Sequence, residues 1–172
     1  MASLIDTLVE ILNGENDEYQ KLLDLSEGKT EVIVRGDLNA LSLITDKEQT
    51  VVSRINNLET KRTETMKEIA KILNTDVRGL KLETLISLLD KKPGEQKALS
   101  LVHDKLHVTL YEMRLINERN SELLKSAMEM VDFNMNLIQA MRKAPETANY
   151  NRGAYNTGAQ IGLASGSFDA KQ

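Results

Sequence analysis

The sequence predicts an all-α protein, an antiparallel bundle or coiled coil of three long helices with one short helix and a flexible C-terminal tail. Three observations predict it. Residues 95–143 run for forty-nine positions without Gly or Pro and are rich in Leu, Met, Glu, Lys and Arg, good helix formers. Apolar residues recur at three- and four-residue steps through most of the first 143 positions, the period of an amphipathic helix. Aromatic residues make up only 3% of the chain and charged residues 28%, with no Trp, which suits long helices better than an enzyme with a deep apolar pocket.

The first helix is expected over about residues 3–35, with Ile5, Leu8, Leu12, Tyr19, Leu22 and Ile33 as its stripe and Leu4, Ile11, Leu23 and Leu25 widening it. Asn13-Gly14 is a turn signal inside it. Ile5, Leu12 and Tyr19 keep a seven-residue step across the pair, so the helix continues at a cost of about 1 kcal/mol for the glycine. Gly36 then stops the helix and Asp37 caps the next. So short a link folds two long helices into an antiparallel hairpin.

The second helix spans about 38–73, its seam formed by Leu41, Ile44, Glu48, Val51, Ile55, Leu58, Arg62, Thr65, Ile69 and Ile72. Glu48 and Arg62 stand on that seam as residues that set register or snorkel, not as catalytic groups. Leu82, Leu85, Ile86 and Leu89 make a short helix at about 80–90, closed by Lys91-Lys92-Pro93-Gly94.

The long helix, about 95–143, returns antiparallel to the second and organises the rest. Leu99, Val102, Leu106, Met113, Ile116, Leu123, Met130, Leu137 and Met141 form one apolar row, and Leu110, Leu124, Val131 and Ile138 another. From Leu123 to Met141 twelve of nineteen residues are Leu, Met, Val, Ile, Phe or Ala, and five of the seven methionines lie between Met113 and Met141. That is wider than one packing seam needs. The second helix is long enough to cover the long one to about residue 130. Phe133, Met135, Leu137, Ile138 and Met141 are therefore expected to lie exposed, as an adaptable Met-rich interaction strip. Residues 1–143 form the helical bundle domain and 144–172 a Gly/Ala/Asn-rich tail that cannot build a core, with Tyr150, Tyr155, Ile161, Leu163 and Phe168 as isolated apolar beads.

Several function classes are disfavoured. A net charge of −4 argues against a general nucleic-acid binder, and residues 1–37 hold nine acids against three bases, an acidic face that could steer a basic partner. The absence of Cys removes disulfides and thiolate metal sites. Met1 to Asp6 lacks a basic region before an apolar run, and no stretch approaches ~18 uninterrupted apolar residues, so a cytoplasmic chain without membrane insertion is expected. His103 and His107 lie four apart, close to a zinc-protease motif, but Asp104 replaces the Glu and there is no third His. No nucleophile motif or phosphate-binding Gly loop is present, and nothing calls for a cofactor or an enzyme.

Four passages taken in order resemble the FlgN-type flagellar export chaperones over nearly the whole chain. They are Ile44-Thr45-Asp46-Lys47-Glu48 with Leu58, Glu59 and Arg62; Leu82-Glu83-Thr84-Leu85-Ile86; Asn117 to Leu124; and Phe168-Asp169-Ala170-Lys171. The resemblance implies a cytoplasmic chaperone that binds the helical terminal segments of the two hook-filament junction proteins. It would keep them from associating early and deliver them to the flagellar export gate. The long helix would be the binding element, and a tail tyrosine, Tyr150 or in its place Tyr155, the gate contact, with Phe168 as a tail anchor.

The residues agree on mechanism, since a Met-rich strip suits a partner's amphipathic helix. Leu123, Leu124, Met128, Val131, Phe133, Met135 and Ile138 are the expected client contacts, with Asn117 and Asn120 either setting register or lying as ordinary surface polars. The alternative is a structural coiled-coil protein whose strip makes a homodimer.

Overall fold

The computed structural model describes residues 2–76 and 80–143. Among them are four helices: α1 (Ala2–Arg35), α2 (Leu38–Leu73), α3 (Leu82–Leu88) and α4 (Pro93–Lys143). The all-α plan of three long helices and one short one is therefore present. The chain divides into two compact units, Met1–Val131 and Asp132–Gln172.

In the first unit α1 and α2 form a closely packed antiparallel hairpin. Gly36 makes the turn with φ of +68°, the left-handed region that glycine enters without a Cβ clash. The Gly36 and Asp37 amides donate back to the Ile33 and Val32 carbonyls at 3.1 and 3.2 Å, and the Asp37 carboxylate accepts from the Ala40 amide at 3.0 Å, capping α2. α1 runs unbroken through Asn13-Gly14. A Cβ at Gly14 would lie 3.5 Å from Leu58, in ordinary contact, so α2 packs there without requiring glycine.

α2 ends at Asn74, whose φ of 52° is also left-handed, with the Thr75 amide returning to the Ala70 carbonyl at 3.0 Å. α4 begins at Pro93, two residues earlier than the glycine-proline break suggests. Proline's fixed φ and missing N–H suit the first helical position, where no intrahelical donor is required.

Two apolar clusters hold the first unit together. One joins Ile5, Leu8 and Leu12 of α1, Ile69 and Ala70 of α2, Leu80, Leu85 and Leu89, and Leu99, Val102 and Leu106 of α4. The other joins Leu22 and Leu23, Val51 and Ile55, and Met113. Complete burial of a Leu or Ile contributes roughly 1.5–3 kcal/mol. The short helix belongs to the first cluster: Leu85 is buried, and the Gln96 amide donates to the Ile86 carbonyl at 3.0 Å, tying α3 to the first turn of α4.

The direction of α4 follows from its polar contacts. Asn16 and Gln20 meet Thr109, and Ser26 and Thr30 meet Asn120, so α4 runs parallel to α1 and antiparallel to α2. With equal rise per residue, the end of α1 at Arg35 falls level with about residue 127 of α4. The first unit closes four residues later.

Candidate functional site

The buried face of α4 carries Leu99, Val102, Leu106, Thr109, Met113 and Asn120, and no buried residue follows Asn120 among the described residues. Leu123 and Leu124 are half-buried. From there the helix keeps its apolar content but loses its cover. Met128 and Val131 in the first unit are exposed, Val131 by 60%. In the second unit Phe133 is 66% exposed and Met141 70%, with Met135, Leu137 and Ile138 about half exposed. Leu124, Val131 and Ile138 follow one another at seven-residue steps and so lie in one column, whereas Phe133 and Met135 widen it to other faces.

All seven residues expected to meet a partner are thus on one helix and at least partly accessible. Their chemistry is apolar contact alone. Methionine side chains at 128, 130, 135 and 141 can adopt several rotamers, so the surface can repack against more than one shape. Tyr150, Tyr155 and Phe168 lie outside the described residues.

Apolar packing holds this helix in place, and polar contacts fix its alignment against α1. The Asn120 amide donates to the Ser26 carbonyl at 2.7 Å, and the Thr30 hydroxyl donates to the Asn120 carbonyl oxygen at 2.6 Å. One level down, Gln20 donates to the Thr109 hydroxyl at 2.8 Å, which donates to Asn16 at 2.9 Å. Asn120 therefore sets register within the molecule, against α1, while Asn117 is exposed. Apolar periodicity could not reveal Thr109, Ser26 or Thr30. The signal was their heptad spacing from apolar neighbours, which a polar side chain conceals.

Glu48 and Arg62, the two charged residues on the α2 seam, both pair with α1. Glu48 accepts from Lys29 at 2.7 Å and from the Ser26 hydroxyl at 3.1 Å. Arg62 donates to Glu15 at 2.7 Å. Glu15 is wholly buried, and its second oxygen has no hydrogen-bond partner. Burial pushes its carboxyl above the usual range; the neighbouring Arg62 charge pulls against that without cancelling it, and the Glu59 carboxylate adds to it. Tyr19, which donates to Glu59 at 3.4 Å, is raised in turn by burial and by the Glu59 and Glu15 charges. Glu15, Tyr19, Glu59 and Arg62 form a polar layer between the two apolar clusters, and Glu48 with Ser26 and Lys29 forms another beyond the second cluster; Glu59 and Glu48 each also line a shallow surface pocket.

His103 faces Glu83 of α3 at 3.7 Å and its neighbour Asp104 at 3.2 Å, and its ring centroid lies 6.4 Å from that of His107. Among the described residues no three His, Asp or Glu side chains are grouped to hold a metal ion. Nor is any described helix long and apolar enough to cross a membrane.

Fold and surface together define a class: a helical bundle whose longest helix carries an accessible apolar run over its last third. The chain belongs to the FlgN protein family, whose profile it matches over residues 1–157. That is a family of flagellar export chaperones, not of enzymes, and its members bind flagellar hook-associated proteins. A curated relative, the uncharacterized protein YvyG of Bacillus subtilis (strain 168), is 25% identical over 134 residues, 77% of this chain and 76% of that one. No solved structure matches the chain at a significant level.

Proposed function

We propose that the chain is a cytoplasmic export chaperone that holds the helical terminal segments of hook-filament junction proteins on α4, keeps them from assembling early and hands them to the flagellar export gate. Leu123, Leu124, Met128, Val131, Phe133, Met135 and Ile138 make the contact. The observation that carries this reading is the exposure of a dense apolar run on one continuous helix, which water tolerates poorly. A client's amphipathic helix laid along it removes that run from water. Each side chain so buried contributes roughly 1.5–3 kcal/mol, and several are needed to offset the ~4–15 kcal/mol cost of association.

Replacing Val131 and Ile138 with Asp tests the surface. Both are exposed in the free protein, so helicity by circular dichroism should persist. Burying two unpaired carboxylates against a client should weaken binding at least ~100-fold by titration calorimetry. Unchanged affinity removes α4 from the mechanism. A dimer that persists at nanomolar concentration and will not exchange for a client peptide in sedimentation replaces the chaperone surface with a structural homodimer.

Delivery to the gate is assigned to the tail, with Tyr150 as the contact, Tyr155 as the alternative and Phe168 as an anchor. Tyr150→Ala should then reduce client export while leaving client affinity unchanged. A loss of client affinity in that variant places the tyrosine in the client site instead.

A further inference from the structure

The first unit carries a second, unused surface beside α4. A groove runs along the α1–α4 seam, lined by Leu23 and Glu27 of α1 and by Glu112, Leu115, Ile116 and Arg119 of α4. Leu115 is 49% exposed although it borders buried Leu23. Seven residues beyond Glu27 on the same column of α1 stands Val34, 70% exposed in the last turn of the helix. Seven beyond Ile116 on α4 stands half-buried Leu123, the first residue of the apolar run. The groove therefore leads along paired heptad columns, Glu27 to Val34 on α1 and Ile116 to Leu123 on α4, toward the end of α1.

Its walls are not neutral. The lining holds two carboxylates, Glu27 and Glu112, against one cation, Arg119, and Glu27 belongs to the acidic first part of the chain, where residues 1–37 hold nine acids against three bases. We propose that this groove is a second docking segment for the client, taking a helix whose apolar seam is flanked by Lys or Arg, with Val34 and Leu115 as apolar contacts and Glu27 and Glu112 as charge contacts. The proposal rests on the chaperone reading above. Two features favour a client helix over other occupants: the columns are continuous with the α4 run, and the net negative lining would repel a second copy of the same groove.

Binding of the purified junction proteins of the source bacterium to the full chain tests it. Val34→Asp with Leu115→Asp alters two exposed positions and should weaken client binding about tenfold or more without loss of helicity. Glu27→Lys with Glu112→Lys should weaken it several-fold at low salt and flatten its salt dependence. Val131→Asp with Ile138→Asp serves as the control. If that control abolishes binding while both groove variants bind as the parent does, the groove proposal is overturned and the chaperone reading stands. If the control binds normally, the reading itself falls.

A Val34→Cys variant, in a chain with no other cysteine, gives an independent readout. Maleimide labelling should be fast in the free protein at every concentration and slow when client is added. Slow labelling without client overturns the proposal: if it depends on protein concentration, a second copy fills the groove, and if it does not, another part of the same chain does.

Discussion

Glu15 shows how a single side chain sets a condition on the whole bundle. It is completely buried, bonded through one oxygen to Arg62 and through the other to nothing, and its pKa is raised, chiefly by burial. A carboxyl whose folded-state pKa exceeds its unfolded value binds its proton more tightly in the folded protein. Folding is then most favoured, as far as this group is concerned, below the ordinary glutamate value of about 4.3, and the contribution is lost as pH rises through the raised folded value. Glu15→Gln removes the titration while keeping size and a hydrogen-bond acceptor for Arg62. Urea denaturation of the parent against this variant should show the variant gaining stability relative to the parent as pH rises from the glutamate range to neutrality. A difference constant across that range would mean that Glu15 is relaxed or hydrated in solution. Arg62 must not be removed in the same experiment. Its loss leaves a buried carboxylate unpaired, which costs about 3–5 kcal/mol and would mask the pH effect.

The elements themselves were legible to different depths. The limits at Gly36 and Asp37 could be read because those residues act through backbone constraints that hold in any context, whereas Pro93, expected in the turn, opens α4 instead. The exposure of Phe133, Met135 and Ile138 could be read because the second helix is too short, by its residue count alone, to cover all of the fourth. Less legible was the part α1 plays in seating α4. The apolar rows suggested α2 as the antiparallel neighbour, and the structure adds α1 as a parallel one, through Asn16, Gln20, Ser26 and Thr30. Those residues are indistinguishable in sequence from the polar side of a surface helix. A hydrogen-bonded amide in a seam gives little net stability, about 1 kcal/mol per bond, but a slip of one residue strands it, so it fixes alignment more than it adds affinity. Asn120 is the last such pin among the described residues of α4. The choice between register and surface for Asn117 and Asn120 turned on which side of α4 meets α1, and periodicity alone does not give a helix's neighbours.

Across the molecule, the described residues form a gradient of packing. The cluster around Leu8, Ile69, Leu85 and Leu99 draws on all four helices, the cluster around Leu23, Ile55 and Met113 on three, and past Asn120 no described residue of α4 is buried. Amide exchange reads such a gradient directly, because local opening is governed by the apolar contacts and hydrogen bonds that must break. Exchange should be slowest in Leu99 to Leu106, intermediate around Met113, and fast from Leu124 onward in the free protein. Residues 132–143 are only twelve, near the length below which a helix without tertiary packing is marginal in water. Client binding should slow exchange there far more than in the first cluster, since that segment has the most order left to gain. Uniformly slow exchange through Lys143 in the free protein, independent of concentration, would mean that the apolar run is already covered, and a helix covered by its own molecule has no surface left to lend to a client.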